Sequence, residues 1–539
     1  MSAPRNRLVK TWPHQTYTLP PGRPAVLPNW LRLRNRGRRT CGRGLDSRRL
    51  HHSPKANPSR SAFSFAVYCG FAAVHGGSYG LRGSAYRPVA IPRVKTRIVK
   101  TLFIRDVIGN PPPGEIALYC WLRTRRESRN RIFLDLVDST GEIQAVVEKA
   151  AVQHAVTQAA KALSHEAAVE VCGVASTSRR GKPELSVNSI RVIGPVASNQ
   201  TLRPRSELPG WPRGSQKQVD VQLKLRHLYI RNPIPMQIIR FRQELVGGLR
   251  AWFDGNGFTS VDAPILTLVS LYEDETAVQL ELHGQSVFLT QCVGYYLEAA
   301  VHAFERVYNI GPGFRAAESE SPRHLIEYWH VKAEVAWTEL EDMLGMVEEM
   351  FRYIVTQAHG AVERLALDLP VPIQRDRMLP PYERISYSEA LERLEAKGFS
   401  MKFGDSVQGE RQLALASDFE CPFWLVGLPG EHEPFPYQPD PADGRLTLTA
   451  DLIAPGRFGE ILGVAQKIHE PETLEARMRD KGKATDPNYD FVRDVHSFGC
   501  VPHTAFGMGL ERLIRWLLGL SHVRDTSAFP RLVGRRFYP

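Results

Sequence analysis

Between residues 98 and 197 apolar and polar positions alternate in short runs separated by turn-forming residues, the period of half-buried strands. The runs predict strands over Lys100–Ile108, Ile116–Arg125, Arg131–Val137, Glu142–Val147, Ala167–Val174 and Glu184–Ile193, with a helix over Ala150–Leu163 between the fourth and fifth. Five or so strands and one helix in a segment of this length point to an OB-type β-barrel. The period then changes. Ile238, Ile239, Leu245, Leu249, Trp252 and Phe253 recur at helical spacing and predict a helix over Met236–Asp254, with Gly255 just past its end. A strand holding Val261, Pro264, Ile265 and Leu266 should follow. Alternation returns on both sides of a polar loop, Ala316–Pro322. One strand should end at Phe314-Arg315, and its neighbour should begin at Arg323-His324 and carry Tyr328. Near the C-terminus, Phe506-Gly-Met-Gly-Leu-Glu-Arg512 leads into the helical stripe Leu513, Ile514, Trp516 and Leu517, after two glycines that let a backbone approach closely.

Composition sets the boundaries. A chain of 539 residues, 43% hydrophobic and 23% charged, should hold two or three domains with real cores. Residues 1–97 form a basic Pro/Arg-rich extension, 98–197 the barrel, 198–225 a polar connector with Pro204, Pro209, Gly210, Pro212 and Gly214, and 226–539 the larger domain. The net charge of +12 belongs to the extension: residues 1–60 hold fourteen Lys/Arg against the single acid Asp46, which leaves the rest close to neutral. Early prolines exclude a long helix there, so the segment reads as a disordered extension; a nonspecific RNA-binding arm is the alternative. Its Arg-rich, acid-poor composition also suits an organellar transit segment, but without the usual amphipathic helix. Seven scattered cysteines with no Cys-x-x-Cys pair argue against a disulfide framework or structural zinc site and for a reducing, cytoplasmic compartment. No apolar run is long enough to span a membrane.

The candidate chemistry lies in the larger domain. Arg315 on one strand facing Arg323 and His324 on the next makes a cationic floor for a polyphosphate, because guanidinium pairs with phosphate bidentately and keeps its charge. The carboxylates of Asp451 and Glu460 suit Mg²⁺, which prefers oxygen ligands. No Ser-His-Asp order, His-Glu-x-x-His or Gly-x-x-x-x-Gly-Lys-Ser/Thr occurs, so neither a protein nucleophile nor a P-loop is indicated. In the barrel Arg123, Arg125 and Arg126 precede Phe133, and Gln144 follows eleven residues later. Basic residues around an aromatic suit single-stranded nucleic acid. The competing reading places Phe133 in the barrel core.

Phe314-Arg315 with Arg323-His-Leu-x-Glu-Tyr328, and Gly507-Met-Gly-Leu-Glu-Arg512, resemble motifs 2 and 3 of class II aminoacyl-tRNA synthetases. The helix and strand after Met236 resemble motif 1, that family's dimer interface. The resemblance spans about residues 98–539 and favours the asparaginyl form of the aspartyl/asparaginyl subgroup, through Leu289-Thr, Tyr296-Leu-Glu-Ala-Ala300 and Ala454-Pro-Gly. It implies an α+β fold: the OB barrel plus an antiparallel catalytic sheet flanked by helices. It implies that Arg315 binds the α-phosphate of ATP and His324 the γ-phosphate, that Tyr328 and Arg512 sandwich adenine, and that Arg323 and Gly509 complete the ATP site. Asp451 and Glu460 would hold Mg²⁺, Glu511 would support Arg512, and His503 would be structural. In the barrel, Phe133 would stack on an anticodon base and Gln144 hydrogen-bond one, beside Arg123 and Arg125.

The amino-acid pocket departs from the pattern. It would comprise Glu273, Gly294, Tyr296, Gln466 and Lys467. Gly294 replaces a Gln near the substrate α-amino group, Cys292-Val293 replaces Ser-Gly, and Ala317 replaces a Glu, with Glu318 nearby. Lys467 stands where the family has an Arg gripping the substrate side chain; Lys keeps the charge but loses the fork. The resemblance therefore implies an asparagine–tRNA ligase-like enzyme, homodimeric, using ATP and Mg²⁺, with tRNA and an amino acid as partners. Two alternatives stand beside it: a paralogue turning the same adenylation on another carboxylate or a non-tRNA acceptor, and an RNA-binding pseudoenzyme.

Overall fold

The computed structural model describes residues 100–197, 216–270, 276–317, 319, 321–367 and 374–538, the side chains of 216–218 excepted. The extension over 1–97, the first part of the connector, Glu273 and Glu318 lie outside the described residues.

Five strands close the barrel in the order β1-β2-β3-β5-β4: β1 Glu115–Glu127, β2 Arg131–Val137, β3 Glu142–Glu148, β4 Ala168–Thr177 and β5 Pro183–Gly194. Period-2 alternation turns Leu118, Leu122, Ile132, Leu134, Leu136 and Val171 inward. The helix between β3 and β4 is shorter than expected, His154–Ala162. The segment expected as a first strand, Lys100–Ile108, instead contains the short helix Ile104–Gly109. Asp138 explains this: its carboxylate accepts from the Ile104 amide (2.9 Å) and Lys100 Nζ (2.6 Å), while Asp106 accepts from the Phe103 amide (3.0 Å). With the backbone donors held locally, Ile104 and Val107, three apart, plug the barrel core.

The larger domain is built on an eight-stranded sheet. In chain order its strands are β6 Thr259–Ser260, β10 Arg306–Phe314, β11 Glu327–Ala336, β12 Glu383–Ser386, β13 Phe423–Val426, β14 Thr449–Ala454, β15 Gly459–Lys467 and β16 His503–Gly509. Across the sheet they run β12-β13-β14-β15-β16-β11-β10-β6, antiparallel except for the parallel edge pairs β12-β13 and β10-β6. A small sheet of β7 Leu266–Thr267, β8 Val278–Leu282 and β9 Gln285–Leu289 stands apart. The strand expected around Val261 thus breaks into the stubs β6 and β7, since Pro264 offers no amide to a ladder.

The helices Pro233–Gly255 and Leu340–Arg364 cover one face of the large sheet. Phe241, Leu245, Leu249 and Phe253 from the first, and Val347, Met350, Phe351 and Ile354 from the second, pack on Val331, Ala333, Val335, Leu462, Val464, Phe506 and Met508. Because strand side chains alternate, the opposite face carries Tyr328, His330, Lys332 and Glu334 of β11, Gly507 and Gly509 of β16, Gly463 and Lys467 of β15, and Asp451 of β14.

Candidate active site

Three guanidiniums meet on that open face. Arg315 follows β10, and its amide donates to the Ile326 carbonyl (2.9 Å). Arg323 and His324 lie in the loop before β11, which starts only at Glu327, later than expected. Ser321 holds them there: its hydroxyl accepts from the Arg323 amide (3.2 Å) and contacts His324 Nδ1 (2.7 Å). Ser319 Oγ adds a second contact to Nδ1 (3.0 Å). Arg512, at the start of the helix Leu510–Leu517, donates through Nη2 to His324 Nε2 (3.2 Å). His324 is thus a neutral ring with Nε2 as acceptor. Burial first, then the neighbouring Arg512, Arg315 and Arg323, holds it down at about 3. The convergence of residues 315 and 512, far apart in the chain, is therefore present.

Beside this positive cluster stands a negative one. Glu460 Oε2 lies 3.2 Å from Arg512 Nη1. Burial, with Glu460 and Glu433 close by, pushes the Asp451 carboxyl well above its usual range. Glu433 is pushed up to about 7 by burial and Glu460. Carboxylates that raise one another's proton affinity are those a cation would relieve, so the donor set fits Mg²⁺.

Glycines fit the floor to the side chains crossing it. A β-carbon at Gly313 would come 2.9 Å from the Tyr328 ring, and one at Gly507 would come 2.8 Å from His330 Nε2. Tyr328 is fixed over Gly313 by its hydroxyl, which donates to the Gln291 carbonyl (2.8 Å).

Two supporting residues escaped the sequence reading. Gln412, from the helix Glu410–Ala416, accepts at one Oε1 from Arg323 Nη1 (2.6 Å) and the Glu460 amide (3.1 Å), tying a phosphate-site candidate to a metal-site candidate. Nothing around it in sequence signals this. Glu298 is the second; it lies four residues after Gly294, on the same face of the helix Gly294–Phe304. Its Oε2 stands 3.8 Å from Lys467 Nζ, both side chains being almost fully buried. That spacing was the available signal.

Several assignments need correction. Gln466 is not beside Lys467: successive strand residues point to opposite faces, and its Oε1 accepts from the Leu340 amide (3.0 Å) on the helix side. Tyr296 packs with Val293, Leu297 and Val301, its ring 6.5 Å from Phe491. Its neighbour Tyr295 turns the other way, against Phe435 and Tyr489. Glu511 is held by Arg242 Nη1 (2.7 Å) and the Trp329 amide (3.0 Å), rather than by Arg512. Gly509 lies under Arg512, whose Cδ a β-carbon would meet at 3.4 Å. His503 is buried in the core of the domain.

In the barrel, Phe133 alternates with the inward Ile132 and Leu134 and so faces outward, half-buried, which removes the core reading. The Arg126 guanidinium stands 5.7 Å from its ring centre and donates to Gln144 Oε1 (3.2 Å). Arg125 is exposed on the same strand. Arg123 is not available to a nucleic acid: it is buried, pairs with Glu166 and donates to the Arg231 carbonyl (2.5 Å), joining barrel to larger domain.

An antiparallel sheet whose open face carries an Arg–His–Arg cluster beside paired acids, preceded by an OB barrel, defines the class. The family model described as tRNA synthetases class II (D, K and N) matches residues 218–533, and that of the OB-fold nucleic acid binding domain matches residues 117–193. The chain belongs to the class II tRNA synthetases. Its relatives include the asparagine–tRNA ligase of Pyrococcus furiosus, 34% identical over 449 residues, which are 82% of this chain and 100% of the relative. That of Desulforamulus reducens is 34% identical, over 80% of this chain and 98% of its own. The crystal structure of the Pyrococcus horikoshii asparaginyl-tRNA synthetase complexed with asparaginyl-adenylate superposes with a TM-score of 0.76 at 31% identity, covering 82% and 100% of the two chains. Among the described residues no helix is long and apolar enough to cross a membrane.

Proposed function

We propose that the chain activates asparagine with ATP and transfers it to tRNA. In the first step a substrate carboxylate oxygen attacks the α-phosphorus, the bond to the β-phosphate breaks, and pyrophosphate leaves. In the second, a terminal tRNA hydroxyl attacks the acyl carbon and AMP leaves. Neither step requires a protein nucleophile; positioning and charge neutralisation carry the catalysis. Arg315 binds the α-phosphate, His324 and Arg323 the outer phosphates, and Arg512 stacks on adenine opposite Tyr328. Asp451 and Glu460, with Glu433 beside them, hold Mg²⁺, which neutralises phosphate charge when bound. The observation carrying this reading is the guanidinium cluster around neutral His324 set directly against the acids, the charge pattern that a metal-bound triphosphate complements.

On the barrel, Phe133 and Gln144 face one side with Arg126 and receive the anticodon, whereas Arg125, in register with the inward Leu134, turns the other way to the Leu163 carbonyl. The homodimer belongs to the same proposal: Leu266, Leu268, Leu280 and Leu282 stand 41–47% exposed, and a second chain would cover them. ATP–pyrophosphate exchange with a panel of amino acids, followed by acylation of tRNA, tests the reading. Exchange with asparagine is expected, and its absence overturns the proposal. A second reading, the same adenylation of a different carboxylate, is favoured by Lys467, a point charge without a fork, and by Gly294, which brings no side-chain donor or acceptor. Exchange with another acid in place of asparagine would establish it.

A further inference from the structure

One charged side chain on the open face of the large sheet has no part in the steps above. Lys332 of β11 is only 4% exposed and shares its face with Tyr328, His330 and Glu334. Along β16 it stands opposite Gly507, between Gly509 at the nucleotide end and His503, the neighbour of Lys467, at the far end. Lys332 therefore lines the stretch where the substrate acid has to lie. Its Nζ donates to Cys292 Sγ (3.2 Å), and among the described residues this is the one hydrogen bond it makes. An ammonium carries three donors and a thiol is a weak acceptor, so most of that capacity is unmatched. A buried ammonium left this way is costly until an acceptor arrives.

The neighbourhood is positive as well. Cys292 stands two residues before Gly294, the first residue of the helix Gly294–Phe304, and the N-cap, Val293, makes no side-chain bond to the first amides. The positive end of that helix dipole thus lies beside the thiol. His330 brings no charge: burial, then Lys332 and Arg512, holds it down at about 3, and its Nδ1 has no hydrogen-bond partner. Deeper in, the acids are already matched. Glu298 faces Lys467 Nζ (3.8 Å) and His496 Nε2 (3.4 Å), and Glu334 faces His503 Nε2 (3.3 Å). Burial opposes the charge on both imidazoles, but Cys500 and Glu298 raise His496 to about 9, and Cys500, Glu298 and Glu334 raise His503. Burial likewise opposes the Lys332 charge; Cys292, Glu334 and Glu298 outweigh it and leave its pKa raised. Against burial, His496 and His503 draw the Cys500 thiol down to about 6, and even so four cations stand against three anions. An ammonium entering here adds to the surplus, whereas an anion cancels it.

We propose that Lys332 and the uncapped end of the helix Gly294–Phe304 form an anion subsite, so that the acid activated here carries a second anionic group and no ammonium beside it. A dicarboxylic acid is the class that fits. This rests on the second reading above and deepens it by naming the substrate class. The competing role for Lys332 is structural, as a counter-ion for Glu334 alone.

Titration calorimetry of the full chain with succinate, malonate, succinamate and asparagine tests the subsite. Succinate or malonate should bind at least about tenfold more tightly than asparagine, the worth of one charge-assisted hydrogen bond, and succinamate, which is asparagine without its ammonium, should fall between. Lys332→Met and Lys332→Gln, folded by circular dichroism, should lose the preference, while Lys332→Arg keeps it. Asparagine binding more tightly than both dicarboxylates overturns the subsite. So does a folded Lys332→Met or Lys332→Gln that retains the preference, which leaves Lys332 the structural role. Pyrophosphate exchange separates the subsite from the reading beneath it. Exchange with asparagine and with no dicarboxylate upholds the ligase and overturns the subsite. Dicarboxylate binding that Lys332→Met removes, with no exchange on any acid, upholds the subsite and overturns adenylation.

Discussion

Gly459 opens β15 with φ at +69°, a conformation that L side chains rarely adopt. A β-carbon there would overlap Arg323 Nη1 and lie 2.7 Å from Gln412 Oε1, breaking the contact by which Gln412 aims Arg323. Gly456, in the turn before it, has φ at +66° and nothing within 4 Å of a β-carbon. Alanine at either position meets the left-handed strain, ~1–2 kcal/mol. At Gly459 it also forfeits a charge-assisted hydrogen bond, ~1.5–3 kcal/mol. Gly456→Ala should therefore lower stability by roughly 1–2 kcal/mol in urea unfolding and leave kinetics alone. Gly459→Ala should lose about 3–5 kcal/mol in all. Because the excess falls on Arg323, it should also raise the KM for ATP in pyrophosphate exchange about ten- to a hundredfold, at 1.36 kcal/mol per factor of ten. If the two variants behave alike, or Gly459→Ala binds ATP normally, Arg323 is not a phosphate ligand held by Gln412.

Phe133→Ala should leave pyrophosphate exchange unchanged and weaken tRNA acylation by the ~1–3 kcal/mol of one base stack, read as the KM for tRNA; an equal loss in both assays would refute a barrel-only role. Lys467→Met removes the cation facing Glu298 Oε2 and leaves only the His496 and His503 rings against Oε1, so it should lower stability in denaturant unfolding, whereas Lys467→Arg should retain the charge and fold. The Glu433 carboxyl, pushed up to about 7, is protonated below that pH and charged above it. Magnesium should thus bind more tightly as pH rises through 7, and Glu433→Gln should flatten that dependence in exchange assays at limiting Mg²⁺. The same raised value makes ionised Glu433 unfavourable to the fold: its penalty sets in above the ordinary carboxylate range and is complete above 7, so the Gln variant should be the more stable at pH 8.

How much was legible beforehand follows from the range of the interactions involved. The barrel strands and the Pro233–Gly255 helix are written in local periodicity, and the Arg315, Arg323, His324 and Arg512 set in two short motifs. Lys100–Ile108 misled because its apolar residues fit either period, and the deciding group, Asp138, lies on the far side of two strands. Arg323 and His324 were placed a few residues too early on β11, since two serine hydroxyls, not a ladder, settle that backbone. Gln466 and Lys467 were read as one unit although neighbours on a strand cannot share a face. Gln412 acts through partners dozens of residues away, a distance at which sequence pattern carries no geometric signal, and Glu298 showed only its helical spacing from Gly294, which says nothing of Lys467.

Arg240 and Arg242 stand two positions apart on the helix Pro233–Gly255, about 200° around its axis, and so reach in nearly opposite directions. The first donates to the Ser139 carbonyl at the barrel rim; the second grips Glu511, whose chain neighbour is Arg512. One rigid rod is thereby pinned to the barrel at one side and to the catalytic helix at the other. A polymer pulling on the barrel has a lever with its short arm resting one residue from the nucleotide.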